Sequence, residues 1–164
     1  MSIKAALLAV AFGTMAIAAQ SRPDFSGDWT LARSRSTQTM EGQRVTSVVG
    51  LLGEKFTAKQ DAKTLTLDIT SAAIGRPVRA VYKLDNSESR NVNPGQAGQP
   101  DDAIISRASW DGEKLVILTR GTVPVNGKPL ESKRVIWIDA DGLLTIERSS
   151  EGVPTTRSVY ERSR

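Results

Sequence analysis

Three short phrases constrain the fold more than anything else in this chain. Asp61-Ala62-Lys63-Thr64-Leu65-Thr66-Leu67, Asp111-Gly112-Glu113-Lys114-Leu115-Val116-Ile117 and Asp141-Gly142-Leu143-Leu144-Thr145-Ile146 each place a turn before alternating Leu or Ile residues. Asp-Gly between apolar runs is a strong hairpin signal, because both turn positions tolerate positive φ. Alternation with a period of two puts the apolar residues on one face of a strand. Three hairpins with the same kind of outgoing arm commit the chain to antiparallel sheet. The spacing between the phrases is unequal, so they are one element used three times rather than a repeat architecture.

The remaining segments follow the same grammar. Residues 55–60 and 64–70 read as strands, with Leu65, Leu67 and Ile69 on one face. Pro77 opens another strand, where its missing N–H does least harm, and Val78, Ala80, Tyr82 and Leu84 share a face. Residues 104–110, 114–120, 130–139, 143–148 and 155–162 complete the set, with Asn126-Gly127 marking a further turn. Two stretches break the pattern. Residues 33–39 are polar and 45–53 have no clean period. An irregular lid, a short helix and a ragged strand all fit 45–53, and a loop covering one end of a barrel is favoured. Residues 85–102 are polar and rich in breakers, the mark of a long loop that is either functional or a mobile connection.

About eight to nine strands with mostly short connections describe an all-β, up-and-down antiparallel meander. Such a sheet must hide its edges, and closure into a barrel does so directly; a two-sheet sandwich is the alternative. The near-absence of helix signals argues against every α-containing class.

The N-terminus reads as an address. Met1-Ser2-Ile3-Lys4 is a short cationic start, 5–18 is an uncharged, mostly apolar run, and Ala16-Ile17-Ala18 supplies small residues for cleavage. The run is shorter than the roughly 20 residues that a membrane-spanning helix needs. Residues 1–19 are therefore expected to be a signal peptide and 20–164 a single exported domain, soluble after cleavage in a bacterial periplasm or in the medium. With no Cys at the cleavage site, no membrane anchor by lipidation is expected.

Absent residue types exclude much chemistry. With no Cys and no His, the chain has no disulfide, thiolate metal site, imidazole ligand or conventional Ser-His-Asp triad. Carboxylates, Lys, Tyr, Ser and Thr remain. Asp111-x-Glu113 and Asp139-Ala140-Asp141 offer too few oxygen ligands at fixed steps for calcium and are explained as turn residues. Asp101-Asp102 would point to opposite faces of a strand, which makes them poor partners for acid–base work. Gly95-x-x-Gly98 lacks the lysine of a phosphate-binding loop. No metal and no cofactor is expected. The formal charge of +4 comes from 22 cations and 18 anions spread along the chain, a mixed solvated surface rather than a nucleic-acid footprint.

Several segments resemble a group of small exported bacterial proteins with no established activity: Pro23-Asp24-Phe25-Ser26-Gly27-Asp28-Trp29, Tyr82-Lys83-Leu84-Asp85, the run from Ser106 to Ile117, and Val159-Tyr160-Glu161-Arg162. More broadly, Gly27-x-Trp29 on a first strand with an Arg on the last resembles the calycin superfamily, which includes lipocalins and fatty-acid-binding proteins. The resemblance implies a lipocalin-like barrel in which Arg162, or Arg164 in its place, packs across Trp29 and closes one end. It also implies non-catalytic binding of a small hydrophobic or amphipathic ligand inside the barrel. Tyr82, Trp110 and Trp137 are the candidate ligand contacts, with simple core packing as their other reading. A cell-envelope module that meets a protein or glycan through the long loop is the alternative, and an enzyme working through carboxylates or Tyr is a third. Any site is expected at the end away from Trp29, beneath 33–53 and the long loop at 85–102.

Overall fold

The computed structural model describes residues 22–40, 43–46, 51–70, 76–93, 102–125 and 128–163. The expected signal peptide 1–19, the Asn126-Gly127 turn, residues 94–101 of the expected long loop and Arg164 lie outside the described residues. Twelve strands are described: β1 (Gly27–Leu31), β2 (Thr37–Met40), β3 (Gln43–Thr46), β4 (Lys55–Gln60), β5 (Thr64–Thr70), β6 (Pro77–Lys83), β7 (Glu88–Asn93), β8 (Asp102–Asp111), β9 (Lys114–Val125), β10 (Lys128–Ile138), β11 (Leu144–Ser150) and β12 (Val153–Arg162). They form one sheet in the order β6-β5-β4-β1-β12-β11-β10-β9-β8-β7, with the β2–β3 hairpin attached to β12. The pairings are antiparallel, as a meander requires.

The strand count exceeds the expected eight to nine for two reasons. Residues 33–53 are not only a loop: after a 3-10 turn at Arg33–Arg35 they contribute β2 and β3. Part of the expected long loop is β7, which pairs with β8 from Glu88↔Arg107 to Asn93↔Asp102. β7 hides from a search for apolar alternation because two of its inward positions are Ser89 and Asn91, both buried.

Those two residues close the wall. β6 and β7 end the sheet and lie side by side, but no backbone ladder joins them. Side chains take its place. The Asn91 Oδ1 accepts from the Val81 N–H at 2.8 Å, and the Asn91 Nδ2 donates to the Val81 carbonyl at 3.0 Å. Ser89 Oγ accepts from the Lys83 N–H at 2.8 Å. The Asn91 amide thus acts as a spare peptide group, satisfying donor and acceptor of one residue on the opposite edge. The result is a nearly closed barrel rather than a two-sheet sandwich.

Alternation fixes what faces inward. Trp29, Phe56, Ala58, Leu65, Leu67, Ala80, Tyr82, Ala108, Leu115, Ile117, Ile136, Leu144, Ile146 and Tyr160 are all buried in one continuous core. The connectivity places the β4–β5, β6–β7, β8–β9 and β10–β11 turns at one end, together with Trp29 and Arg162. The β5–β6, β7–β8, β9–β10 and β11–β12 connections belong to the other end.

Tyr160 ties the barrel to the segment after β3. Its ring meets Phe56 edge-on at 4.9 Å between centroids. Its hydroxyl accepts from the Leu52 N–H at 2.9 Å and donates to the Gly53 carbonyl at 3.3 Å. Burial pushes the phenol up from 10.0 to about 12, against a smaller opposing pull from the Leu52 N–H.

Two outcomes test this account. Asn91→Ala strips both partners from Val81 and should cost about 1–3 kcal/mol in urea unfolding; a change below about 0.5 kcal/mol would show that the seam does not depend on it. A phenol with a raised folded-state value is stabilising below its unfolded value and loses that contribution as pH climbs towards the folded one. Stability should therefore fall between pH 10 and about 12. In a spectrophotometric titration one of the two tyrosines should ionise only as the protein unfolds, and ionisation of both at pH 10 with the fold intact would contradict the assignment.

Candidate functional site

The lumen has two unlike halves. Towards the Trp29 end, Leu65, Leu115, Ile117, Ala108, Leu144 and Ile146 are at most 1% exposed. Packing at that level leaves no room for a guest. Further along the same strands, inward positions turn polar: Ser106 and Thr119 share a hydrogen bond of 3.0 Å, and Ser132, Arg134, Arg148, Ser150, Thr156 and Ser158 follow on β10 to β12. Ile69, Val78 and Ile104 face inward at this end. They and most of these polar residues are partly exposed although they point away from the outer surface. Solvent therefore reaches the lumen from this end.

Two arginines dominate the polar half. Arg134 on β10 is directly opposite Arg148 on β11 in the register, at the parity of the buried Ile136 and Ile146. The Arg134 Nη1 donates to the Tyr82 hydroxyl at 3.2 Å, a contact that reaches across the lumen from β10 to β6. The Nε atoms of Arg134 and Arg148 and the Oγ of Ser150 are buried and have no hydrogen-bond partner. Burial, and then the neighbouring Arg134 charge, push the Arg148 guanidinium down from its ordinary range.

The outer wall is handled differently. Arg79 is opposite Asp68, Arg107 opposite Glu88, Arg120 opposite Glu131 and Arg157 opposite Glu147. Their shortest N···O separations are 2.6, 2.8, 3.9 and 2.9 Å. Cross-strand pairs of opposite charge stabilise a sheet modestly, and like charges directly opposite destabilise it. Among the described residues the rule is broken inside the lumen at Arg134 and Arg148. Among the described side chains the inward set contains no Asp or Glu to offset them.

Of the expected ligand contacts, Tyr82 lies in the lumen and bonds Arg134. Trp110 sits at the closed end instead, its ring stacked on Phe25 at 5.7 Å and covered by Arg22 at 5.5 Å. It borders a depression of about 340 Å³ with Arg22, Asp24 and Gln60. Trp137 alternates with inward Ile136 and faces the outer wall, with the Lys114 Nζ 5.2 Å and the Arg157 Cζ 5.5 Å from its ring centre. It lines a groove of about 280 Å³ beside Arg35, Thr37 and Thr145. The three aromatics therefore do not share one site. Arg134 and Arg148 escaped the sequence reading, although a charged residue at an apolar parity position on two consecutive strands was a legible signal.

Trp29 and Arg162 face each other at the closed end. They are paired in the β1–β12 register, and the Arg162 Cζ lies 4.7 Å from the Trp29 ring centre. Trp29 is fully buried and its Nε1 donates to the Phe25 carbonyl at 2.9 Å. The Arg162 Nη1 donates to the Ser26 carbonyl at 2.7 Å. Gly27 makes this possible: its φ is +137°, and a Cβ there would lie 2.5 Å from the Arg162 Nη1. The Gly-x-Trp spacing thus leaves room for the guanidinium to cross the indole.

Among known proteins, no family model and no curated protein matches this sequence. Among solved structures, the chain is similar to a fatty acid transporter, REP1-NXSQ, with a TM-score of 0.56 and 14% identity over 85% of this chain and 96% of that one. The likeness shows a shared barrel fold.

Trp29→Ala should cost about 3–5 kcal/mol, as loss of a large buried aromatic does, and should lower the melting temperature sharply. An unchanged melting curve would show that this end does not depend on the indole.

Proposed function

We propose that this chain is a non-catalytic binding protein that holds a small amphipathic molecule in the polar, solvent-reached half of its barrel. The observation that carries this reading is the division of the lumen. One half is packed by its own side chains, and the other presents apolar Ile69, Val78 and Ile104 together with buried donors on Arg134, Arg148 and Ser150 that no protein group satisfies. Buried polar groups left unpaired by the protein are costly, so a ligand that pairs them gains what the empty protein forgoes. An apolar part against the isoleucines and valine with a polar part against the donors describes an amphiphile. The structural neighbour is a fatty acid transporter, which agrees with a hydrophobic occupant here.

The address-like sequence of residues 1–19 supports export, with binding in a bacterial periplasm or in the medium. The outer groove beside Trp137 favours a second reading, an envelope interaction module that needs no luminal ligand.

Native mass spectrometry of protein purified from its own host should show a retained lipid-sized adduct. Added ten-carbon amphiphiles should raise its melting temperature in proportion to the logarithm of their concentration. No adduct and no shift would overturn the luminal reading and leave the outer wall as the working surface.

A further inference from the structure

The opposed arginines say more about the occupant than its amphipathic character. Two formal positive charges face each other in a half-buried lumen, with no described carboxylate between or beside them. A neutral head group leaves both uncompensated. A carboxylate or another monoanion offsets one and leaves a net positive charge in a region of reduced dielectric, where an unpaired charge is expensive. A head carrying close to two negative charges balances the pair. Planar guanidiniums are also suited to tetrahedral oxyanions, since their fork of N–H donors meets two oxygens of a phosphate at once. The free Nε of each arginine, the free Oγ of Ser150 and the Tyr82 hydroxyl are hydrogen-bonding groups for such a head.

We propose that the luminal ligand is a phosphate monoester of an apolar chain or ring, its dianionic head held between Arg134 and Arg148. This inference rests on the luminal binding proposed above and names the chemical class of the ligand. A phosphate monoester loses its second proton near pH 6, well below the range in which a guanidinium gives up its own. Among the described side chains the other groups facing the pair are uncharged, and Asp102 on β8 shares the inward parity of Ser106. Ser132 stands on β10 and Ser150 on β11, Thr156, Ser158 and Tyr160 on β12, Ser106 and Thr119 on β8 and β9, and Tyr82 on β6. Glu131 and Glu147 lie on the opposite face with their own arginine partners. A change of affinity between pH 8 and 5.5 therefore reports the head group of the ligand.

Isothermal titration calorimetry with decyl phosphate, decanoate and decanol on the mature chain tests this. At pH 8 decyl phosphate should bind about 10-fold or more tightly than decanoate. It should weaken by about the same factor at pH 5.5, while decanoate changes little. Arg148→Met should lose decyl phosphate by about 10- to 100-fold and keep decanol. It should melt no lower than the parent without ligand, because it removes one of two opposed like charges. Equal affinity for decanoate and decyl phosphate with no pH dependence would overturn the dianion and leave amphiphile binding standing. Equal affinity for decanol would overturn any charge recognition. Binding of none of the three, with no adduct in native mass spectrometry, would overturn the luminal site itself.

Discussion

A meander of ten wall strands has two edges, and each edge carries a row of peptide groups in need of partners. Everything else in this structure depends on how those edges are dealt with. Curling brings β6 and β7 together, but their peptide groups are joined through side chains rather than by a ladder. Asn91 and Ser89 supply the missing partners. The cost of an unpaired peptide group is comparable to the net value of a hydrogen bond, so a few bonds suffice to hide the edge. Because the seam is made by side chains on β7, that strand must be polar on its inner face. The polar character of the neighbouring lumen begins there, with Ser89 and Asn91 followed by Ser106 and Thr119.

Closure creates an inside, and the inside is unequal along its length. At the Trp29 end the aromatic rings and branched chains exclude everything else. Gly27 admits Arg162 over the indole, and the guanidinium is satisfied by the Ser26 carbonyl. At the other end the same strands supply hydroxyls and two arginines. The outer wall pairs its arginines with carboxylates in register, which makes the unpaired inner two conspicuous. Natural proteins give up stability of this kind where a ligand recovers it.

Much of the wall was legible in the sequence. Leu65 and Leu67, Leu115 and Ile117, and Leu144 and Ile146 alternate as half-buried strands do, and all are core residues. The segments at 33–53 and 85–102 were harder to read. β2 has few local apolar signals and pairs with β12, more than a hundred residues away. β7 carries its burial on Ser and Asn, which a hydrophobic pattern passes over. Of the aromatics, Tyr82 faces the lumen and Trp137 the outer wall, a distinction that depends on parity against Ile136 rather than on residue type.

Alternation and Asp-Gly turns in the sequence set most of the wall strands and their turns, because both act between residues close along the chain. It took the tertiary structure to bring Asn91 to Val81, to set Arg134 opposite Arg148, and to divide the lumen into a packed half and a polar one. Those contacts depend on register and curvature summed over many strands. A one-residue slip of β10 or of β11 would turn its arginine to the outer wall, and no local pattern records the sum.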